Sequence, residues 1–270
     1  MQTTVGLVFE SHGATLMLQS NKAEILDAML KRLPPKSNLI ESGESAECFG
    51  LFLSDQCVAE PSVYGLFHNG SLVVQTDSLA LALDEIESQL HAAVALGSTA
   101  GLFVHAGVVG WKGGAIVIPG RSMSGKTSLV AALVKAGADY YSDEYAVFDQ
   151  QGYVHPYHKP LNIRIDQAGQ RHKCRVEEFG GRIGTESLPL ALIIATQYEP
   201  QAEWKPQPLT TGQAVLKLFD NTIDALGQLI YAINTYALAT AKCLAIVGVR
   251  PATEQIVPSI IVKLSAKLQT

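Results

Sequence analysis

The stretch Ala115-Ile-Val-Ile-Pro-Gly120-Arg121-Ser122-Met123-Ser124-Gly125-Lys126-Thr127-Ser128-Leu-Val-Ala-Ala-Leu-Val-Lys-Ala-Gly137 decides how this chain is read. Its centre is a complete G-x-x-x-x-G-K-[ST] match, and its flanks give the match a structural context. Ala115 to Pro119 is a short apolar β run, and Ser128 onward is a good helix former that ends at Gly137, so the glycine-rich segment falls between a strand and a helix. Backbone N–H groups of such a loop and the positive end of the helix cradle an anionic phosphate chain. Lys126 is spaced to reach the β- and γ-phosphates, and Thr127 offers a hydroxyl to Mg²⁺. Gly120 to Ser128 therefore read as a nucleotide-binding loop, with ATP or a related phosphoryl donor and Mg²⁺ as its cofactors.

The chain around this loop has 270 residues, 47% hydrophobic and 17% charged, enough for one large domain or a core domain with a small one. A formal charge of −5 with scattered basic residues excludes the electrostatic footprint of a nucleic-acid binder. Cys48, Cys57, Cys174 and Cys243 form none of the close pairs of a zinc or redox motif. The N-terminal MQTTVGLVFESHG lacks a basic, then apolar, signal segment, which makes the cytoplasm the expected compartment. Ala92 to Trp111 and Thr222 to Ala241 are apolar but broken by glycine or polar residues, so they read as core elements and no membrane partner is expected.

Residues 1 to 80 read as a small α/β domain: two strands around His12-Gly13, an amphipathic helix stopped by Pro34-Pro35, and short strands that include a turn at His68-Asn69-Gly70. A helix over about 79–96 follows, so 81–100 reads as a linking segment and 101–270 as the nucleotide-binding domain. Within the latter, Leu188 to Thr196 and Cys243 to Val249 are continuous apolar runs expected of buried strands, and Thr210 to Leu218 and Ile223 to Ala237 read as helices.

Downstream of the loop, Tyr140-Tyr141-Ser142-Asp143-Glu144 arrives directly after the helix, 17 residues past Lys126. Read as a strand beside the loop strand, it would point the two carboxylates to opposite faces, one to the metal and one to the acceptor. Asp149, closing the run Tyr145 to Phe148, is the competing acidic residue. Upstream, Phe103-Val104-His105-Ala106-Gly107 ends an apolar strand and leads into a hairpin that returns through Ala115, which brings His105 toward the phosphates.

These pieces together resemble the C-terminal domain of HPr kinase/phosphorylase, a bacterial protein-serine kinase related in fold to phosphoenolpyruvate carboxykinase. In that family a histidine opens a β-hairpin, the phosphate loop follows, and a short helix leads to an Ala-Asp-Asp motif. His105 lies 21 residues before Lys126 and Asp143 17 residues after it, and Ser142-Asp143-Glu144 stands where the family has Ala-Asp-Asp. The resemblance, over about 101–149, implies a mixed-sheet α/β kinase domain in which Asp143 takes the serine hydroxyl proton, Glu144 and Thr127 hold Mg²⁺, and His105 lies beside the transferred phosphate. It further implies a peptide or protein acceptor and a homo-oligomer. The family's glycine-rich downstream segment is absent, which leaves HPr as acceptor and reverse phosphorolysis as open questions. Pro160-Leu161-Asn162-Ile163-Arg164 is similar to a stretch in HPr-kinase-like proteins that phosphorylate precursor peptides, where Arg164 would clamp phosphate oxygens. His155 and His158 read as loop residues. A small-molecule kinase acting on free serine, and a nucleotide-binding scaffold with little catalysis, are the alternative readings.

Overall fold

The computed structural model of the protein describes residues 4–41, 47–54, 63–120, 124–164 and 171–267. Its chain divides into two units, Met1–Ala100 and Gly101–Thr270. In the first unit strict alternation builds the sheet. Ala14, Leu16, Leu18 and Ser20 are buried along β2 (Ala14–Ser20) while the residues between them are not, which marks one face as core. β2 forms a hairpin with β1 (Val5–Ser11) through His12 and Gly13, both at positive φ, as a two-residue turn between right-twisted strands requires. Helix α1 (Ala23–Leu30) follows, then β3 (Asn38–Ile40), β4 (Glu47–Ser54), β5 (Val63–His68) and β6 (Ser71–Thr76), in the sheet order β3-β1-β2-β4-β5-β6.

Helix α2 (Leu79–Gly97) closes this unit. Its stripe of Ala82, Leu83, Ile86, Leu90 and Val94 is buried, and it packs on β2, β4, β5 and β6. The segment 81–100 is therefore not a linker. The apolar stripe that defines the helix is itself part of the first core, so the unit ends at Ala100. The opposite sheet face carries an open, uncharged groove of about 600 Å³ around Gly50, Phe52, Gly65 and Phe67.

The second unit places a mixed sheet between two helix layers. It comprises β7 (Leu102–Trp111), β8 (Gly114–Pro119), α3 (Lys126–Lys135), β9 (Asp139–Ser142), β10 (Tyr145–Phe148), β11 (Tyr153–His155), β12 (Leu161–Arg164), β13 (Arg171–Cys174), β14 (Arg182–Ile183), β15 (Leu188–Tyr198), β16 (Gln207–Pro208), α4 (Thr211–Phe219), α5 (Leu229–Thr240), β17 (Leu244–Arg250) and α6 (Thr253–Lys267). The strand path is β14-β9-β7-β10-β11-β15-β17-β16, with β8 between β7 and β15, and β12 and β13 form a separate ribbon. On one face Leu129, Val130 and Leu133 of α3 pack with Ile256, Ile260 and Leu264 of α6, each such burial contributing about 2 kcal/mol. On the other, Leu218 of α4 and Tyr236 of α5 cover Leu102, Val104 and Phe148.

The buried strands expected over Leu188–Thr196 and Cys243–Val249 are β15 and β17. The second C-terminal helix begins at Leu229 and not at Ile223. Thr222 instead bridges Val104 and donates to the Leu218 carbonyl, and Asp224 adopts a left-handed φ, so tertiary contacts use those residues in turns. Among the described residues no helix is long and apolar enough to cross a membrane. Cys48 and Cys174 are free thiols.

Candidate functional site: a strand–loop–helix cradle facing two carboxylates

β7 organises the site because it pairs with three strands. Its second half pairs with β8 through a tight turn at Lys112 and Gly113, and with β9 on its other side, while its first half pairs with β10. This arrangement brings the end of β8, which feeds the glycine-rich loop, next to the β9–β10 turn. Gly107 of β7 lies under α3: a Cβ there would meet Val130 Cγ2 at 2.5 Å, so a glycine is what lets the helix start close to the sheet.

The loop is fastened at both ends. Gly120 N–H donates to the His105 carbonyl at 3.2 Å, tying its entry to β7. At its exit Gly125 has φ +83 and caps α3 in the left-handed region. Arg250, 2% exposed at the end of β17, donates from Nη2 to the Gly125 carbonyl at 2.8 Å and lies against the Tyr198 ring. Nothing in the spacing around Gly125 announces Arg250, which arrives from 125 residues away. Gly125→Ala would place a Cβ at 2.3 Å from Arg250 Nη2 and add about 1–2 kcal/mol of left-handed strain. A melting temperature lower by about 4 °C and nucleotide affinity lower by at least about tenfold are expected, read by calorimetry.

Lys126 is buried in the first turn of α3 and donates from Nζ to the Gly120 carbonyl at 2.6 Å. Burial lowers its pKa to about 8, against the opposing pull of Asp143 and Glu144. Ser124 Oγ is buried with no hydrogen-bond partner among the described residues, a polar atom that an anion in the loop would satisfy. Thr127 Oγ1 donates to Asp143 Oδ2 at 3.1 Å, which joins the loop to the acidic pair. Arg121, Ser122 and Met123 lie outside the described residues.

Asp143 and Glu144 do not lie in a strand with their side chains on opposite faces. They form the turn between β9 and β10, shaped by Ser142, whose fully buried Oγ accepts from the N–H groups of Glu144 (3.2 Å) and Tyr145 (3.0 Å). β9 is also a neighbour of β7 and not of the loop strand. Burial raises the Asp143 pKa to about 6; the Thr127 hydroxyl, Lys159 and the Asn162 N–H pull it down, and Glu144 adds to the rise. Glu144 faces Lys159, with Nζ at 2.5 Å from Oε2. The side chain of Arg164, the phosphate clamp expected from the sequence, lies outside the described residues.

His105 is half-buried opposite Tyr145. Burial, with help from the Lys126 charge, lowers its pKa, so the ring is neutral near pH 7. Asp149 is spent elsewhere: its Oδ1 accepts from the Gln151 and Tyr153 N–H groups and its Oδ2 pairs with His155 at 2.7 Å. His158 bonds the Gly184 carbonyl, so the two histidines do not converge. Among the described residues no cluster of three or more His, Cys, Asp or Glu side chains is placed to hold a metal. Two carboxylates and the Thr127 hydroxyl, all hard oxygen donors, fit Mg²⁺, which keeps several waters and shares phosphate oxygens in place of a full protein cage.

A mixed α/β unit carrying a fastened glycine-rich loop opposite a carboxylate pair is the class this geometry defines. No family model matches the chain, and no curated protein matches it. Among solved structures it is similar to the HPr(Ser) kinase/phosphatase from Coxiella burnetii, at 15% identity and a TM-score of 0.39, over 62% of this chain and 99% of that one. That is a distant structural likeness.

Proposed function

We propose that the protein is a Mg²⁺- and nucleotide-dependent phosphotransferase acting on a hydroxyl, and, following the resemblance in its motifs, on a serine of a peptide or protein. The observation that carries this reading is the Thr127–Asp143 hydrogen bond. It places the residue after the loop lysine against a half-buried carboxylate whose pKa is shifted toward neutrality. The loop amides and Lys126 hold the donor's phosphates, and Thr127 and Glu144 hold Mg²⁺, which supplies charge neutralisation when bound. Asp143 accepts the proton of the acceptor hydroxyl as its oxygen bonds to phosphorus, and the donor's bridging oxygen leaves with the electron pair. His105, neutral, is a hydrogen-bonding group beside the transferred phosphate.

The direct test is calorimetric titration with ATP and ADP, with and without Mg²⁺, followed by labelled-phosphate transfer resolved into macromolecular and small-molecule fractions. Mg²⁺-dependent micromolar binding with label in the macromolecular fraction is the expected result. Label confined to small molecules would make it a metabolite kinase, and binding without transfer would make it a scaffold. A pH profile follows from the same groups. Asp143 must be ionised to accept a proton, so kcat/KM should fall about tenfold per unit below pH 6. Lys126 must be charged to meet the donor, so kcat/KM should fall again above pH 8. A flat profile between pH 5 and 9 would remove both assignments.

A further inference from the structure

We propose that Lys159 is a tethered occupant of the metal position: its ammonium holds Glu144 until a divalent cation displaces it, and it then turns to the donor's phosphates. The inference rests on the phosphotransferase reading above and adds a residue and an order of events to it.

Three observations carry it. First, Lys159 Nζ lies 2.5 Å from Glu144 Oε2, with both side chains largely withdrawn from solvent. A cation entering on Glu144 must break that ion pair, so metal and ammonium compete for one carboxylate. Second, the pair is part of a balanced cluster. Lys126 and Lys159 face Asp143 and Glu144, two positive charges against two negative. A divalent cation brought in by a polyanionic nucleotide leaves this balance intact only if the displaced ammonium finds an anion, and the phosphates supply one. Third, the backbone of Lys159 is fixed while its side chain is long. Its carbonyl accepts from the Tyr140 hydroxyl at 2.5 Å. The preceding residues are pinned by the Tyr157 N–H to the Tyr141 carbonyl and by His158 to the Gly184 carbonyl. Pro160 follows directly, further restricting the backbone. The exchange is thus a swing of four methylenes about a fixed base, on the timescale of side-chain rotation.

The test uses Mn²⁺ as a paramagnetic probe, with free ion read by electron paramagnetic resonance, on the full chain with and without ADP. Without nucleotide, Lys159→Met should bind Mn²⁺ about tenfold more tightly than the natural protein, because the competitor is gone. Lys159→Gln, which stays polar but uncharged, should do the same, and it stands in if the methionine variant does not fold. In Lys159→Met/Glu144→Gln the gain should vanish. With ADP present the gain should shrink, since the natural ammonium is then engaged by phosphate. Equal or weaker Mn²⁺ binding by folded Lys159 variants, alongside normal Mn²⁺–ADP binding by the natural protein, overturns this proposal alone. Absence of Mn²⁺ binding in every protein even with ADP overturns the phosphotransferase reading and this proposal together.

Discussion

Replacing Asp143 by asparagine is expected to cut phosphoryl transfer by about 10³-fold, leave nucleotide binding within a few fold, and make the protein more stable. The stability half follows from the sign of the pKa shift. Burial lifts Asp143 from 3.8 to about 6, so the folded protein binds this proton more tightly than the unfolded chain does. The contribution of this group to stability is then highest below pH 4, falls as pH rises through the interval between 4 and 6, and stays lower by on the order of 2–3 kcal/mol at pH 7. Asparagine is nearly isosteric, its carbonyl still accepts from Thr127, and it carries no charge to desolvate. Asp143→Asn should therefore unfold at a higher temperature than the natural protein at pH 7, with the difference closing near pH 4. The activity half follows because an amide cannot take the hydroxyl proton. A variant that is inactive and less stable at pH 7 would mean that Asp143 is a structural anion. A variant that stays active would take the base assignment away.

How much of this was legible in the sequence depended on how far each contact reaches along the chain. The loop and its flanks were legible because strand, turn and helix are local patterns: Ala115 to Pro119 is apolar, Gly125 takes a left-handed cap, and Leu129, Val130 and Leu133 recur at the helical period. The hairpin between β7 and β8 and the arrival of Asp143 and Glu144 after α3 were readable for the same reason. Their conformation was not. Tyr-Tyr-Ser-Asp-Glu-Tyr holds no Gly or Pro to break one continuous strand, and the buried Ser142 hydroxyl, capping two N–H groups, shapes it into strand, turn and strand. Lys159 and Arg250 were missed for a different reason. Each acts through one atom on a residue 15 or 125 positions away, and neither leaves a periodic trace. Helix α6 was hidden by Pro258, which reads as a breaker yet lies inside the helix in the structure. Helix α2 was found, but its role was not, because amphipathicity does not say which core a stripe will join.

The second large effect concerns Lys126, and it separates the donor site from the acceptor chemistry. Lys126→Met keeps the length of the side chain and its apolar stem but removes the ammonium. A charge-assisted contact to phosphate in a buried site accounts for about 2–3 kcal/mol, so affinity for ATP and ADP should drop about 100-fold, and transfer at fixed ATP should drop at least as far. Its stability effect again runs against its functional one. Burial lowers the Lys126 pKa from 10.5 to about 8, so the charged form is disfavoured in the folded state at pH 7, and that penalty disappears only as pH rises above 10. Methionine removes the penalty but also the bond from Nζ to the Gly120 carbonyl, and the melting temperature without nucleotide should therefore be no lower than that of the natural protein. The two substitutions then form a pair: Asp143→Asn binds donor and cannot transfer, Lys126→Met scarcely binds it, and neither is less stable. Such a pattern is what a site preorganised for its substrates produces, since the donor's phosphates would balance the Lys126 charge and a divalent cation the Asp143 carboxylate. If Lys126→Met instead unfolded early while binding ATP normally, the lysine would be a structural tether of Gly120, and the loop would not be the donor site.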